Sequence, residues 1–503
     1  MTTTLRHYPL GARMPDTPHA VCSSLPTLAD VRGYEEKEPR VVEALTCGYP
    51  RFLEHPYLRR LAALWLDRAG LGDRKGVLVR GEEAARGLRA FLRGECEPGE
   101  LSGPEDIRLM HVPNEERTAR RALRFVQHTG CAVSSRQAED WLAAEGAIEG
   151  VFEEPVFEGD AEGEIRRRMA ALHKCSTGSV GLFASGMNAF HAAFQAVREW
   201  ARPRKRGVWV QLGWLYLDTT KIMESMLDHD ERLERVVDAR DGDAVQAALR
   251  RAGANLAAVV VEAPTNPLIQ VPDLERVAAE ARRLGAVVIA DPTIASAYNV
   301  HVMPYADLVV TSLTKYAARF GDVMAGTLAV DPDSPHAAEL DERVRQRGVP
   351  LARRDAARLA LEMQGAEDFC ARVNASTEAL AEFFEAHPRV RAVHWAGDAA
   401  SREAFRKIAR SPDAWGAMLT LDLEIPLERF YDRVACGKGP SFGTGFTLIA
   451  PFLYLAHYDL VSTEEGRRYL AEAGLNPELA RISVGAEPID ALKAMFAEAL
   501  DGA

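Results

Sequence analysis

The chain has 503 residues, 47% of them hydrophobic and 27% charged, and its 61 basic and 73 acidic side chains leave a net charge of −12. That composition excludes a disordered or fibrous protein, and the length accommodates two or three domains of about 100–200 residues each. The acidic balance opposes nucleic acid and anionic membranes as general partners and points to small molecules.

No apolar run approaches the roughly 18–20 residues of a membrane span, so no membrane partner is expected. The opening residues, Met1 to Pro9, show no signal-peptide or transit-peptide pattern, and a cytoplasmic location is expected. Seven scattered cysteines without a Cys-x-x-Cys pair suit reduced packing residues, and the 13 histidines show no metal spacing, so no metal is expected.

In chain order, the first fifty residues are rich in Pro and Gly but carry Leu25, Leu28, Tyr34, Tyr49 and Phe52, which a solvated tail lacks. They read as an ordered, irregular arm. From Tyr57 to Phe91, apolar positions at helical spacing enclose a strand-like Gly76 to Val79, an α/β extension. After residue 165, helices (Ile165 to Lys174, Asn188 to Trp200, Asp273 to Gly285) alternate with buried strands (Gly181 to Ala184, Val208 to Val210, Ala257 to Val261, Ala286 to Ala290, Asp307 to Thr311). This pattern predicts an α/β fold with a mostly parallel central sheet covered on both faces. A long helix from Phe369 to His387, strands at Val390 to Trp395 and Ala417 to Leu423, and a helix from Ile489 to Leu500 predict a smaller α+β C-terminal domain. The expected organisation is an N-terminal extension (1–140), a large domain (141–365) and a small domain (366–503).

In such sheets ligands bind at the carboxyl ends of the strands. Four of those ends carry polar chemistry. Ser185-Gly186-Met187 runs into a helix, where backbone N–H groups and the helix dipole favour an anion, although an ordinary turn also uses glycine there. Glu262-Ala263-Pro264-Thr265-Asn266-Pro267 is a rigid loop that places an amide at the strand mouth or serves simply as a turn. Asp291 follows a buried strand, where a carboxylate needs a partner. Ser312-Leu313-Thr314-Lys315-Tyr316 offers two hydroxyls and an amine. A lone lysine is ordinarily a surface charge, but an anion-binding turn, a strand-end Asp and a Ser/Thr-flanked Lys are together the equipment pyridoxal 5'-phosphate (PLP) needs.

Those motifs, followed by Arg481-Ile482-Ser483-Val484-Gly485, resemble in order and spacing the Cys/Met-metabolism PLP-dependent enzymes, a family of fold type I transferases and lyases. The likeness extends to Pro18-His19-Ala20-Val21, Gly48-Tyr49-Pro50-Arg51-Phe52, Gln127-His128-Thr129-Gly130, Ser134-Ser135-Arg136 and Tyr216-Leu217-Asp218-Thr219, which are similar to the long, fungal-type cystathionine γ-synthases. The resemblance implies that Lys315 forms the Schiff base and then moves protons between substrate carbons. It implies that Gly186, Met187, Ser312 and Thr314 hold the phosphate, that Asp291 pairs with the ring nitrogen, and that Thr293 lies near the ring. Tyr216 falls where the family stacks an aromatic on the ring, and Asn266, Ser441 and Arg481 fall where it binds substrate, Arg481 through the α-carboxylate. Most of the family has a Tyr-x-Arg element that reaches a neighbouring subunit's phosphate. Arg136 is the expected counterpart, which implies a homodimer or homotetramer with shared active sites.

The implied activity is γ-replacement on an O-activated homoserine, joining a thiol such as cysteine through a vinylglycine-type intermediate. The alternatives are a specialised γ-replacement with another nucleophile, a γ-lyase, and an inactive relative acting as a regulator.

Overall fold

A computed structural model describes residues 5–49 and 53–502. Pro50, Arg51 and Phe52, and the first four residues of the opening segment, lie outside the described residues. The arm contains a two-residue antiparallel pair, β1 (Arg13–Met14) with β2 (Cys22–Ser23), then helices Leu28–Glu35 and Pro39–Ala44. Thr27 caps the first helix in a reciprocal box with Asp30. Leu25, Leu28, Val31, Tyr34 and Val41 are buried in the main core, so hydrophobic burial fixes this segment despite its irregular backbone. The Tyr431 hydroxyl donates to Leu25 O at 2.7 Å, and Leu28 N donates to Asp432 at 2.8 Å, tying the arm to the C-terminal region.

The next unit is a three-stranded antiparallel sheet of β3 (Arg74–Arg80), β4 (Gly99–Ser102) and β5 (Ile107–Pro113), in the order β3-β5-β4. Alternation along β3 serves two cores. Val77 and Val79 pack with Leu88 and Phe125 of helices Glu82–Phe91 and Glu116–Thr129. Leu78 packs with Leu61 and Leu142 of helices Pro56–Arg68 and Ser135–Ala144.

The central sheet has seven strands: β6 (Val180–Phe183), β7 (Val208–Leu212), β8 (Arg232–Val236), β9 (Leu256–Glu262), β10 (Val287–Asp291), β11 (Leu308–Ser312) and β12 (Gly326–Val330). Their order is β6-β12-β11-β10-β9-β7-β8, and only β12 pairs antiparallel to its neighbours. Every residue of β9 is buried, as a strand covered on both faces requires. Helix Leu274–Leu284 matches its sequence signals: Asp273 accepts from Arg276 N, and Gly285 closes the helix at φ +63°. Two strands of this sheet are not expected from the sequence. β8 is an edge strand in which Arg232, Glu234 and Arg235 leave no continuous apolar run, and β12 opens on glycine followed by threonine.

The third sheet comprises β13 (Val390–His394), β14 (Met418–Leu423), β15 (Gly437–Lys438), β16 (Leu448–Pro451) and β17 (Ala480–Ser483), in the order β13-β14-β17-β16-β15. Helices Ala366–Glu385 and Ile489–Asp501 pack beside it through Phe384 and Phe496, whose ring centroids are 5.1 Å apart. A short turn, Met363–Gly365, separates helices Arg353–Glu362 and Ala366–Glu385. Among the described residues no helix is long and apolar enough to cross a membrane.

Candidate active site

The carboxyl ends of β6, β9, β10 and β11 open into one cavity of about 160 Å³, lined among others by Gly186, Tyr216, Asp291, Ser312, Lys315 and Arg481. After β6, Ser185 caps helix Gly186–Ala201 by accepting from Asn188 N at 3.1 Å. A Cβ on Gly186 would lie 2.6 Å from Ser312 Cβ, so only glycine lets the turn and the end of β11 approach so closely. Thr293 joins the two regions: its hydroxyl accepts from Ser312 N at 2.9 Å, and its N–H donates to Asp291 at 2.8 Å. Thr314 also lines the cavity, but its hydroxyl is engaged with the Ala325 backbone, accepting from N at 3.1 Å and donating to O at 3.3 Å.

Asp291 stands opposite Glu262 in the register of β10 and β9. Burial raises the Asp291 carboxyl to about 6 against the opposing hydrogen bonds of Thr293. Burial, with the charge of Asp291, pushes Glu262 well above the usual carboxylate range. Glu262 accepts from Tyr216 N at 2.5 Å, which fixes the start of helix Leu217–Met226. The sequence reading gave Glu262 no role, although the argument applied to Asp291, an acid ending a buried strand, applies to it equally.

Lys315 is half-buried, and its amine lies 4.3 Å from the ring centre of Tyr49 and 4.7 Å from that of Phe442. Burial of the amine, helped by the charge of Arg481, lowers it to about 7. The amine hydrogen-bonds the Tyr49 hydroxyl and, at 3.2 Å, the Ser441 hydroxyl, and those two oxygens are 2.6 Å apart. Arg481, on β17, donates to Asn266 Oδ1 at 3.3 Å and Pro440 O at 2.5 Å. Its guanidinium carbon lies 5.4 Å from the ring centre of Phe442 and 5.0 Å from that of Phe452.

Arg136 departs from expectation. It is 1% exposed and held inside its own chain by Glu154 at 2.6 Å, Asp355 at 3.1 Å and the Asp322 carbonyl at 2.7 Å. Four of its five N–H donors, one on Nε, two on Nη1 and one on Nη2, are taken up within its own chain, which leaves little of the fork for another subunit's phosphate. Among the described residues, no cluster of His, Cys, Asp or Glu could hold a metal.

The arrangement fits PLP. A glycine-built turn at a helix N-terminus suits the phosphate, a strand-end carboxylate suits the ring nitrogen, and an amine lowered to about 7 suits capture of an aldehyde. Residues 161–501 match the family of Cys/Met metabolism PLP-dependent enzymes. The chain belongs to this family. Within it, the chain is 39% identical, over 97% of its length and 98% of the relative's, to the L-2-amino-4-chloropent-4-enoate dechlorinase/desaturase of Streptantibioticus cattleyicolor. It is 27% identical to a cystathionine gamma-synthase of Neurospora crassa, covering 98% of each chain. Among solved structures, a cystathionine gamma-lyase of Micromonospora echinospora aligns with TM-score 0.59 and 27% identity over 69% of this chain and 88% of that one.

The family's Tyr-x-Arg spacing recurs in the arm as Tyr49-Pro50-Arg51, apart from the expected counterpart Ser134-Ser135-Arg136. Tyr49 lies against Lys315, whereas Arg51 is outside the described residues. The spacing alone could have flagged Tyr49.

Proposed function

We propose that this PLP-dependent enzyme expels a leaving group from the γ-carbon of an α-amino acid without an incoming thiol. The observation that carries the reading is the wall around Arg481, where Phe442, Phe452, Leu455 and Ala456 form an apolar face beside one guanidinium fork. The fork suits the α-carboxylate of one amino acid, and the apolar face suits a short hydrocarbon side chain with a soft leaving group such as halide. A cysteine entering as second substrate would press another carboxylate and ammonium against those side chains and lose their hydration. The Streptantibioticus relative supports this reading, because its name describes an amino acid with chlorine on C4. Loss of HCl there breaks the C–Cl and one C–H bond and adds one π bond; chloride leaves with the electron pair and the proton passes to a base.

PLP, when bound, supplies an electron sink for charge developing on the substrate's α-carbon. Lys315 is the base, its amine neutral above about pH 7. Tyr49 and Ser441, in contact with that amine, orient it. Arg481 and Asn266 hold the substrate carboxylate. Asp291 serves the ring nitrogen, Tyr216 and Thr293 the ring, and Gly186, Met187 and Ser312 the phosphate. Thr314 acts one step back, through Ala325. The assembly we propose is a homodimer or homotetramer, which light scattering checks.

A second reading, thiol γ-replacement, is favoured by the full-length likeness to the Neurospora cystathionine gamma-synthase. Mass spectrometry of products separates the two, using L-2-amino-4-chloropent-4-enoate and O-acylated homoserines with and without cysteine. The expected result is release of the leaving group at a rate independent of cysteine, with sulfur-free products. A thioether as the dominant product establishes the second reading instead.

A further inference from the structure

The last turn of helix Glu116–Thr129, in the N-terminal unit, reaches the cofactor cleft of the same chain. His128 Nδ1 lies 2.8 Å from Asp218 Oδ1, and Gln127 Nε2 donates to the same oxygen at 3.3 Å. Asp218 is 1% exposed, lines the cleft, and sits in the first turn of helix Leu217–Met226, two residues beyond Tyr216. A buried carboxylate near an anion site needs donors that hold it, and these two residues supply them. The next helical residue, Thr219, points its hydroxyl at Met187 Sδ at 3.9 Å.

The same turn braces the anion-binding loop. Thr129 O accepts from Asn188 Nδ2 at 3.0 Å, and Gly130 O accepts from the Ser185 hydroxyl at 3.3 Å. Gly130 has φ +61°, and a Cβ there would lie 2.2 Å from Ser185 Oγ and 2.8 Å from Asn188 N. No side chain fits between the N-terminal unit and the turn at Ser185.

We propose that Gln127 and His128 are positioning residues for the cofactor, acting through Asp218 on the Tyr216 end of its helix while Thr129 and Gly130 set the anion-binding turn. The N-terminal unit is thereby a structural wall of the cofactor site. The inference rests on PLP binding and is independent of which reaction follows.

The test measures the PLP dissociation constant of the apoenzyme, the visible absorption band of the holoenzyme and the melting temperature for His128→Ala, His128→Asn, Asp218→Ala and the His128→Ala/Asp218→Ala pair. His128→Ala and Asp218→Ala are each expected to weaken PLP binding about ten-fold and to move the band, and the double variant to be no worse than the poorer single one. His128→Asn, which keeps a donor near the Nδ1 position, is expected within about two-fold of the parent. Unchanged PLP affinity in His128→Ala, or losses that multiply in the double variant, would overturn the proposal. So would a lowered melting temperature with an unmoved band.

Discussion

Glu262 and Asp291 face each other across neighbouring parallel strands, two carboxyl groups in register at the mouth of one cleft. Both are raised by burial, Glu262 further because Asp291's charge adds to it. Like charges in a dry site do not ionise together, so Asp291 carries the charge and Glu262 keeps its proton while accepting from Tyr216 N. Glu262→Gln preserves that acceptor and is expected to retain kcat/KM within about three-fold, whereas Glu262→Ala loses roughly 10². Equal losses in the two variants would mean that Glu262 works as an anion.

The pH dependence follows from two directions. Asp291 is raised to about 6, so it is neutral below that pH and unable to balance a protonated ring nitrogen. PLP binding by the apoenzyme is expected to weaken as pH drops through about 6, and Asp291→Asn to remove that pH dependence together with most of the affinity. Lys315 is lowered to about 7, so its amine is charged below and neutral above. The rate at which apoenzyme captures PLP is therefore expected to rise with pH through about 7 and level off, as stopped-flow absorbance would record.

Replacing Arg481 with Lys keeps a positive charge but loses the planar fork gripped by Asn266 and Pro440. A charge-assisted hydrogen bond is worth about 1.5–3 kcal/mol, so kcat/KM is expected to fall about 10–10²-fold, chiefly through KM. A change confined to kcat would place Arg481 away from the substrate carboxylate.

Arg136→Met is expected to act on stability. It removes the guanidinium that pairs with Asp355 and Glu154, while Arg358 still holds Asp322, and breaking a buried pair costs about 3–5 kcal/mol. Denaturant unfolding should show that loss, with PLP affinity unchanged in the folded fraction. Intact stability with lost PLP affinity would restore Arg136 as a phosphate ligand.

The cleft was legible in the sequence where a continuous apolar strand ends abruptly in a polar residue, as at Asp291 and Ser312, because burial forces both features into the chain itself. What stayed hidden depends on distant encounters. Tyr49 meets Lys315 across 266 positions, and Arg136 finds its carboxylates at Glu154, Asp322 and Asp355, which nothing local brings together. Edge strand β8 was hidden because it lacks a continuous apolar run, and the backbone partner of the Thr314 hydroxyl, Ala325, lies beyond any local pattern.

The most direct test of the account is borohydride reduction of the holoenzyme, which fixes the cofactor to the amine that holds it, followed by peptide mapping. A pyridoxyl group on Lys315, and none in Lys315→Ala, is the expected result. Label on a different lysine, or a reduced wild-type enzyme with no label, would contradict it.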